Sequence, residues 1–251
     1  MCQSEASWIA LKYLLRKMMN KILVVDFRTS VNSINKLIQM GYDIIKLPAD
    51  NKFDAPISAH PDIFMTMIKG HLFVDAALNN LFINKQNTIY CNREVECQKK
   101  IVYPSDVLFN CVNVGRYLIC NKAFTHSSII EFADANDIKI VDVKQGYAKC
   151  STCVVSENAI ITEDESIAKK SSEVGIDVLK IEKGHIKLDG YDYGFVGGCS
   201  GLIENDVLAF NGDIKKHPEY RRILHFCDKY SVNVVSLCEE PLYDIGSIIR
   251  L

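Results

Sequence analysis

The chain has no excess of either charge: 29 basic residues stand against 31 acidic ones, a net charge of −2, with no long block of either sign. The electrostatic footprint of a nucleic-acid binder is missing. No apolar run reaches the roughly 18 residues that a membrane-spanning helix needs. Lys12, Arg16 and Lys17 interrupt the start of the chain, so it lacks the apolar core of a signal peptide. A soluble, cytoplasmic protein with no membrane and no nucleic-acid partner is expected. No Gly-x-Gly-x-x-Gly follows any predicted strand, so the dinucleotide fingerprint is absent. Cys150 and Cys153 have redox-motif spacing but no second matching pair that would make a zinc site. Neither a cofactor nor a metal is expected. The ten cysteines sit mostly in apolar runs such as residues 107–111 and 117–120, as reduced, buried thiols do, and not as a secreted disulfide framework.

What is present is repetition. At 251 residues and 48% hydrophobic, the chain can bury one large core or two small ones. Apolar runs rich in Ile, Val and Phe are centred near Leu23, Leu72, Leu118, Ile160 and Leu208, a period of about 46 residues. Three units show the order strand, strand, helix, strand: residues 106–111, 117–120, 127–135 and 138–143; then 150–155, 158–162, 164–173 and 176–181; then 200–204, 207–210, 218–230 and 232–237. Asp164 reads as a helix cap, Gly175 as a stop and Pro218 as a first-turn residue. The second unit pairs residues 62–67 with 71–74, followed by a short helix at 76–81 and a strand at 88–91, and residues 49–59 read as a loop. The first unit has a strand at 21–26, a helix at 30–40 and a strand at 42–47, but no strand before them. Residues 244–249 are one strand too many at the other end, and pairing them beside 21–26 would close a ring and remove two sheet edges. A doubly wound parallel sheet is the competing α/β architecture, but it needs one strand per helix. Accidental spacing is the bland alternative. Residues 1–18 stand outside the scheme as an extension with an apolar helix face on Trp8, Ile9, Leu11, Leu14, Leu15 and Met18, and the expected natural start is Met18 or Met19.

Five such units closed by a C-terminal strand resemble the pentein, or guanidine-group-modifying, superfamily. The motifs that carry the resemblance are His60-Pro61-Asp62, Tyr103-Pro104-Ser105-Asp106 continuing to Asn110, Gln145-Gly146-Tyr147-Ala148-Lys149-Cys150-Ser151, Gly197-Gly198-Cys199-Ser200-Gly201 and Asp244-Ile245-Gly246. The resemblance implies an α/β five-bladed propeller, a single domain over residues 19–251, with each unit's first strand around a polar central pocket. It also implies that Asp62 recognises a cationic group, which is chemically sensible because a buried carboxylate needs a partner. The superfamily's hydrolases carry a histidine on a strand entering the fifth unit and a nucleophilic cysteine on the last strand. Here those neighbourhoods read 197–201, which has no histidine, and 244–249, which has no cysteine.

Two readings of function follow. The first is a degenerate member that binds a small guanidine- or amino-acid-like ligand without Cys/His chemistry. The second is a hydrolase or transferase acting on a guanidine-containing molecule through a relocated thiol. For the thiol, Cys199 is preferred because its flanking glycines allow close backbone approach, and Cys150 is next, beside Lys149. The bland alternative for Cys199 is a small buried residue. If residues 150–153 form a strand, Ser151 and Cys153 share one face and Cys150 and Thr152 the other. Candidate ligand contacts are His60, Asp62, Asp106, Asn110, Lys149, Ser151, Ser200 and Asp244. Against that stand a hydrogen-bonded loop histidine, a solvated strand-end lysine, and turn-capping carboxylates and amides.

Overall fold

The computed structural model of the protein describes residues 21–93 and 99–251. The helix expected within residues 1–18, the start at Met18 or Met19, and Cys97 lie outside them. The elements run β1 (Ile22–Asp26), α1 (Val31–Gln39), β2 (Asp43–Leu47), α2 (Pro61–Phe64), β3 (Met65–Ile68), β4 (His71–Asp75), α3 (Asn79–Phe82) and β5 (Thr88–Cys91). They continue with β6 (Val112–Val114), β7 (Tyr117–Cys120), α4 (Ser127–Ala135), β8 (Lys139–Asp142), β9 (Thr152–Ser156), β10 (Ala159–Thr162), α5 (Glu165–Glu173) and β11 (Asp177–Lys180). The last are β12 (Ser200–Glu204), β13 (Val207–Phe210), α6 (Tyr220–Lys229), β14 (Asn233–Ser236) and β15 (Ile249–Arg250).

These strands make five three-stranded sheets, ordered β15-β1-β2, β3-β4-β5, β6-β7-β8, β9-β10-β11 and β12-β13-β14. In each, the first strand is antiparallel to the second and the second is parallel to the third. In four sheets a tight turn joins the antiparallel pair, and in the first that pair is β1 with β15 from the chain's end; the parallel step needs a crossover, which is where α1, α3, α4, α5 and α6 fall. Three helices, α1, α4 and α5, begin where a side chain satisfies an orphan N–H group: Ser30 accepts from Ser33, His126 from Ser128 and Asp164 from Ile167. The middle strands are buried nearly end to end, as expected when both faces are covered.

Apolar burial falls between units. Val24 and Leu47 of the first unit pack with Met65 and Leu72 of the second, and Ile68 and Phe73 with Leu118 and Ile129 of the third. Val114 and Ile119 pack with Ile160 and Ile167, and Val155 and Ile161 with Leu208 and Ile223. A further cluster joins Ile203 and Ala209 of the fifth unit to Leu23 and Leu37 of the first. No unit completes a core alone, the usual condition of a repeat. The first strands also touch in sequence: β3 lies against β6, β6 against β9, β9 against β12, β12 against β15 and β15 against β3. Among the described residues no helix is long and apolar enough to cross a membrane.

Several expected boundaries are corrected. Asp62 is not on a strand: Pro61 opens the helical turn α2, and β3 begins only at Met65. Residues 106–111 are irregular and the third unit's first strand is Val112–Val114. Cys150 and Ser151 lie in a turn before β9, so the strand-face argument for residues 150–153 fails, and β15 contains only Ile249 and Arg250. Pro218 precedes the Glu219 cap instead of entering the first turn. The strand shifts have one cause: the buried turns preceding these first strands carry apolar residues that continue the strand pattern, so hydrophobic runs do not mark the join.

Candidate functional site

The five turns that precede the first strands meet one another. From the second unit come His60 and Asp62, from the third Asn110, from the fourth residues 147–150, from the fifth residues 195–198, and from the chain's end Asp244 and Ser247. Asn110 is the connector between three of them: its amide donates to the Asp62 carbonyl (3.1 Å) and meets Cys150 Sγ (3.1 Å). Its Oδ1 accepts from the Lys149 and Cys150 N–H groups at 2.8 and 3.1 Å. Ser247, in the left-handed region at φ 72°, places its hydroxyl 2.6 Å from Asp62 Oδ2, and Lys149 Nζ donates to that hydroxyl at 2.9 Å. Asp62 Oδ1 is buried with no hydrogen-bond partner. Asp244 accepts from the Phe195 and Gly246 N–H groups, both at 2.9 Å.

Above this network is a cavity of about 250 Å³, lined among others by His60, Cys150, Asp244, Tyr147, Tyr193 and Phe195. Burial sets the protonation of its polar groups. The Asp244 carboxyl is pushed up to about 7, first by burial and then by the Asp62 charge. Asp62 is raised by burial, opposed by Lys149 and Ser247. His60 is pushed down to about 3 by burial and then by the Arg28 guanidinium, so its imidazole is neutral. Its Nδ1 is 3.8 Å from Asp244 and its Nε2 3.9 Å from Asp26. Asp26 is itself engaged by Arg28, whose Nε lies 2.9 Å from Oδ1 while its Nη1 and Nη2 reach the Ala55 and Pro56 carbonyls, each at 2.7 Å.

The Cys150 thiol is held well above its ordinary pKa by burial and then by Asp62 and Asp244. Because the thiolate is the reactive form, iodoacetamide at pH 7 is expected to leave Cys150 unmodified over a period that fully alkylates the denatured chain. Mass-spectrometric labelling of Cys150 with an apparent pKa below 8 would contradict this.

The other candidates are dispersed. The thiol of Cys199 points into the apolar cluster between the fourth and fifth units and donates to the Val196 carbonyl at 3.4 Å, so the preferred nucleophile does not line the cavity. Ser200 and Lys149 line a separate cavity of about 170 Å³ that also meets Thr66 and Arg250. Asp106 accepts from the Tyr147 hydroxyl at 2.6 Å, and Ser151 is buried with its hydroxyl unpartnered. Cys150 and Cys153 are both free thiols. Among the described residues no group of His, Cys, Asp and Glu is placed to hold a metal ion. Sequence reasoning missed Ser247, the Asp26–Arg28 pair and the aromatic wall. Only the wall left a trace, the alternation Tyr191-Asp192-Tyr193-Gly194-Phe195.

Fold and site together define a protein of five strand–strand–helix–strand units that gathers carboxylates, an imidazole and a thiol where the first strands meet. The chain belongs to a family of unknown function (DUF6873), whose profile matches residues 24–249. No curated protein matches it. Among solved structures, C. jejuni agmatine deiminase is similar over 87% of this chain and 87% of its own, at 11% identity and a TM-score of 0.49.

Proposed function

We propose that residues 19–251 form a closed five-bladed propeller of the pentein type, and that its central cavity binds a small guanidine- or amino-acid-like cation without covalent chemistry. The closure is supported by the apolar cluster joining the fifth unit to the first. The observation that carries the binding reading is the lining of the cavity: one buried carboxylate, Asp244, among Tyr147, Tyr191, Tyr193 and Phe195. A carboxylate supplies charge-assisted hydrogen bonds to N–H donors, and aromatic faces attract a desolvated cation. Asp62 lies beneath, held by Ser247, and adds negative potential when ionised.

The test is calorimetric titration of the full chain with arginine and with ethylguanidinium. One site is expected, and its affinity rises with pH. Asp244 is neutral below its pKa of about 7 and anionic above it, so cation affinity climbs by up to about tenfold per pH unit below 7 and levels off above 8. Absence of heat from both ligands at millimolar concentration at pH 8 would sink the reading.

A second reading, a hydrolase or transferase acting on a guanidine-containing molecule, is favoured by one observation: Cys150, His60 and Asp244 line the same cavity. Turnover of arginine, or a Cys150 adduct in the intact mass after incubation with it, would select this reading over the first.

A further inference from the structure

A second cavity, of about 650 Å³, lies on the other side of the aromatic wall. It shares Tyr193 and Phe195 with the central cavity, and its charged lining is Glu163, Asp164, Glu165, Lys180, Glu182 and Lys183. Most of its charged groups are already engaged. Asp164 caps α5 through Ile167 at 2.8 Å and takes the Gln145 amide at 3.2 Å. Glu165 pairs with Lys180, Glu182 lies 3.8 Å from His185, and Lys183 lies over the Tyr193 ring. Glu163 differs. Its Oε1 accepts from the Val196 N–H at 2.8 Å, but its Oε2 is buried and has no hydrogen-bond partner. An unmet buried acceptor is destabilising, and a donor arriving in the cavity would remove that cost.

From this geometry we infer a second ligand site: a small organic cation, an ammonium or guanidinium, donates to Glu163 Oε2 while its apolar part lies against Tyr193 and Phe195. One carboxylate oxygen with aromatic neighbours suits a ligand that brings its own N–H donors, whereas a metal ion needs several ligands, and among the described residues no such group is assembled. Burial raises Glu163 to about 8, reinforced by Asp244 and Asp164, so a cation arriving near neutrality takes the place of a proton.

The two cavities are joined by consecutive amides: the Phe195 N–H is held by Asp244 and the Val196 N–H by Glu163. The Val196 amide reports directly on Glu163 and the Phe195 amide on Asp244, so the two readings are separated by which carboxylate variant removes each response. The experiment is an NMR titration of the ¹⁵N-labelled full chain with ethylammonium and, separately, ethylguanidinium at pH 7.5. A saturable shift of the Val196 amide is expected, weakened at least tenfold in Glu163→Gln and retained when Asp244 is replaced by Asn. Tyr193→Leu, which leaves the carboxylate in place, should weaken it severalfold and serves if the Gln variant does not fold. A Val196 shift that fails to saturate with either cation, or that persists unchanged in the variants, would overturn the inference. A silent Phe195 amide beside a responding Val196 would remove only the central-cavity reading.

Discussion

Arg93→Ala is expected to destabilise the protein by about 3–5 kcal/mol, the range for breaking a buried ion pair from one side. The Arg93 side chain is 5% exposed and its partner Asp75 8%, with Nε 2.5 Å from Oδ2. The guanidinium lies 5.0 Å from the ring centres of both Phe53 and Phe109. It also donates to the Ser105 carbonyl at 2.6 Å and to the Ile63 carbonyl. Alanine would leave a charged Asp75 without its counter-ion and these carbonyls without their donor. Ile63 belongs to α2, the turn that carries Asp62, so the loss reaches the site as well as the core. Arg93→Lys keeps the charge but not the planar fork, so a smaller loss than that of Arg93→Ala is expected. The double variant Arg93→Met with Asp75→Asn removes the stranded charge, and the amide oxygen it introduces can still accept from the Ala77 N–H, as Asp75 Oδ1 does now at 3.0 Å. It should recover more than half of the loss. Urea unfolding at pH 7 measures all three, and a loss under 1 kcal/mol for Arg93→Ala would show that the pair is not what secures this region.

Middle strands are the most legible elements. Residues 21–26, 117–120 and 207–210 are short β-branched or aliphatic runs bounded by turn residues, and burial on both faces gives them no competing pattern. Helix α4 falls on the expected residues 127–135, and Asp164 caps α5 as its position before Glu165-Ser166-Ile167 implies. The N-terminal edges of four of the first strands are not legible, because the residues before Met65, Val112, Thr152 and Ile249 are buried turns in which apolar residues continue the strand pattern; the fifth is the exception, since Gly197 and Gly198 interrupt that pattern and β12 begins at the expected Ser200. The site shares that fate in part. His60, Cys150 and Asp244 stand out in chain stretches some 90 residues apart, and they do line one cavity.

Ser247 could not be found, since its role depends on a left-handed backbone that turns its hydroxyl toward Asp62. Cys199 draws notice through its glycine neighbours, but those glycines answer a different demand. A Cβ at Gly197 would lie 2.3 Å from the Lys149 carbonyl oxygen, and one at Gly198 2.1 Å from Asp244 Oδ1. They let the fourth and fifth units and the chain's end approach one another, while the cysteine between them and β12 turns into the apolar cluster.

The same close approach sets the other large effect, Gly246→Ala. Gly246 has φ +69°, and an added Cβ would lie 2.1 Å from His60 Cβ and 2.4 Å from its Cα. Main-chain atoms cannot rotate aside as a side-chain tip would, so the turn carrying His60 must separate from the chain's end. That contact is held from both directions: Asp62 N–H donates to the Gly246 carbonyl at 3.0 Å, and Gly246 N–H donates to Asp244 Oδ1 at 2.9 Å. Left-handed strain of about 1 kcal/mol and overpacking of about 3 kcal/mol give a loss of about 4 kcal/mol, or roughly 10 °C in Tm for a chain of this size. Gly175→Ala separates the two contributions. It has φ +87° but nothing within 4 Å of the added Cβ, so only the backbone strain applies and Tm should fall by about 3 °C. Parting His60 from Asp244 also deforms the central cavity, so cation binding should be lost in Gly246→Ala at temperatures where that variant is still folded, and retained in Gly175→Ala. Equal Tm values for the two variants, with binding intact in both, would show that the chain's end relaxes around the added methyl and that the site does not depend on this contact.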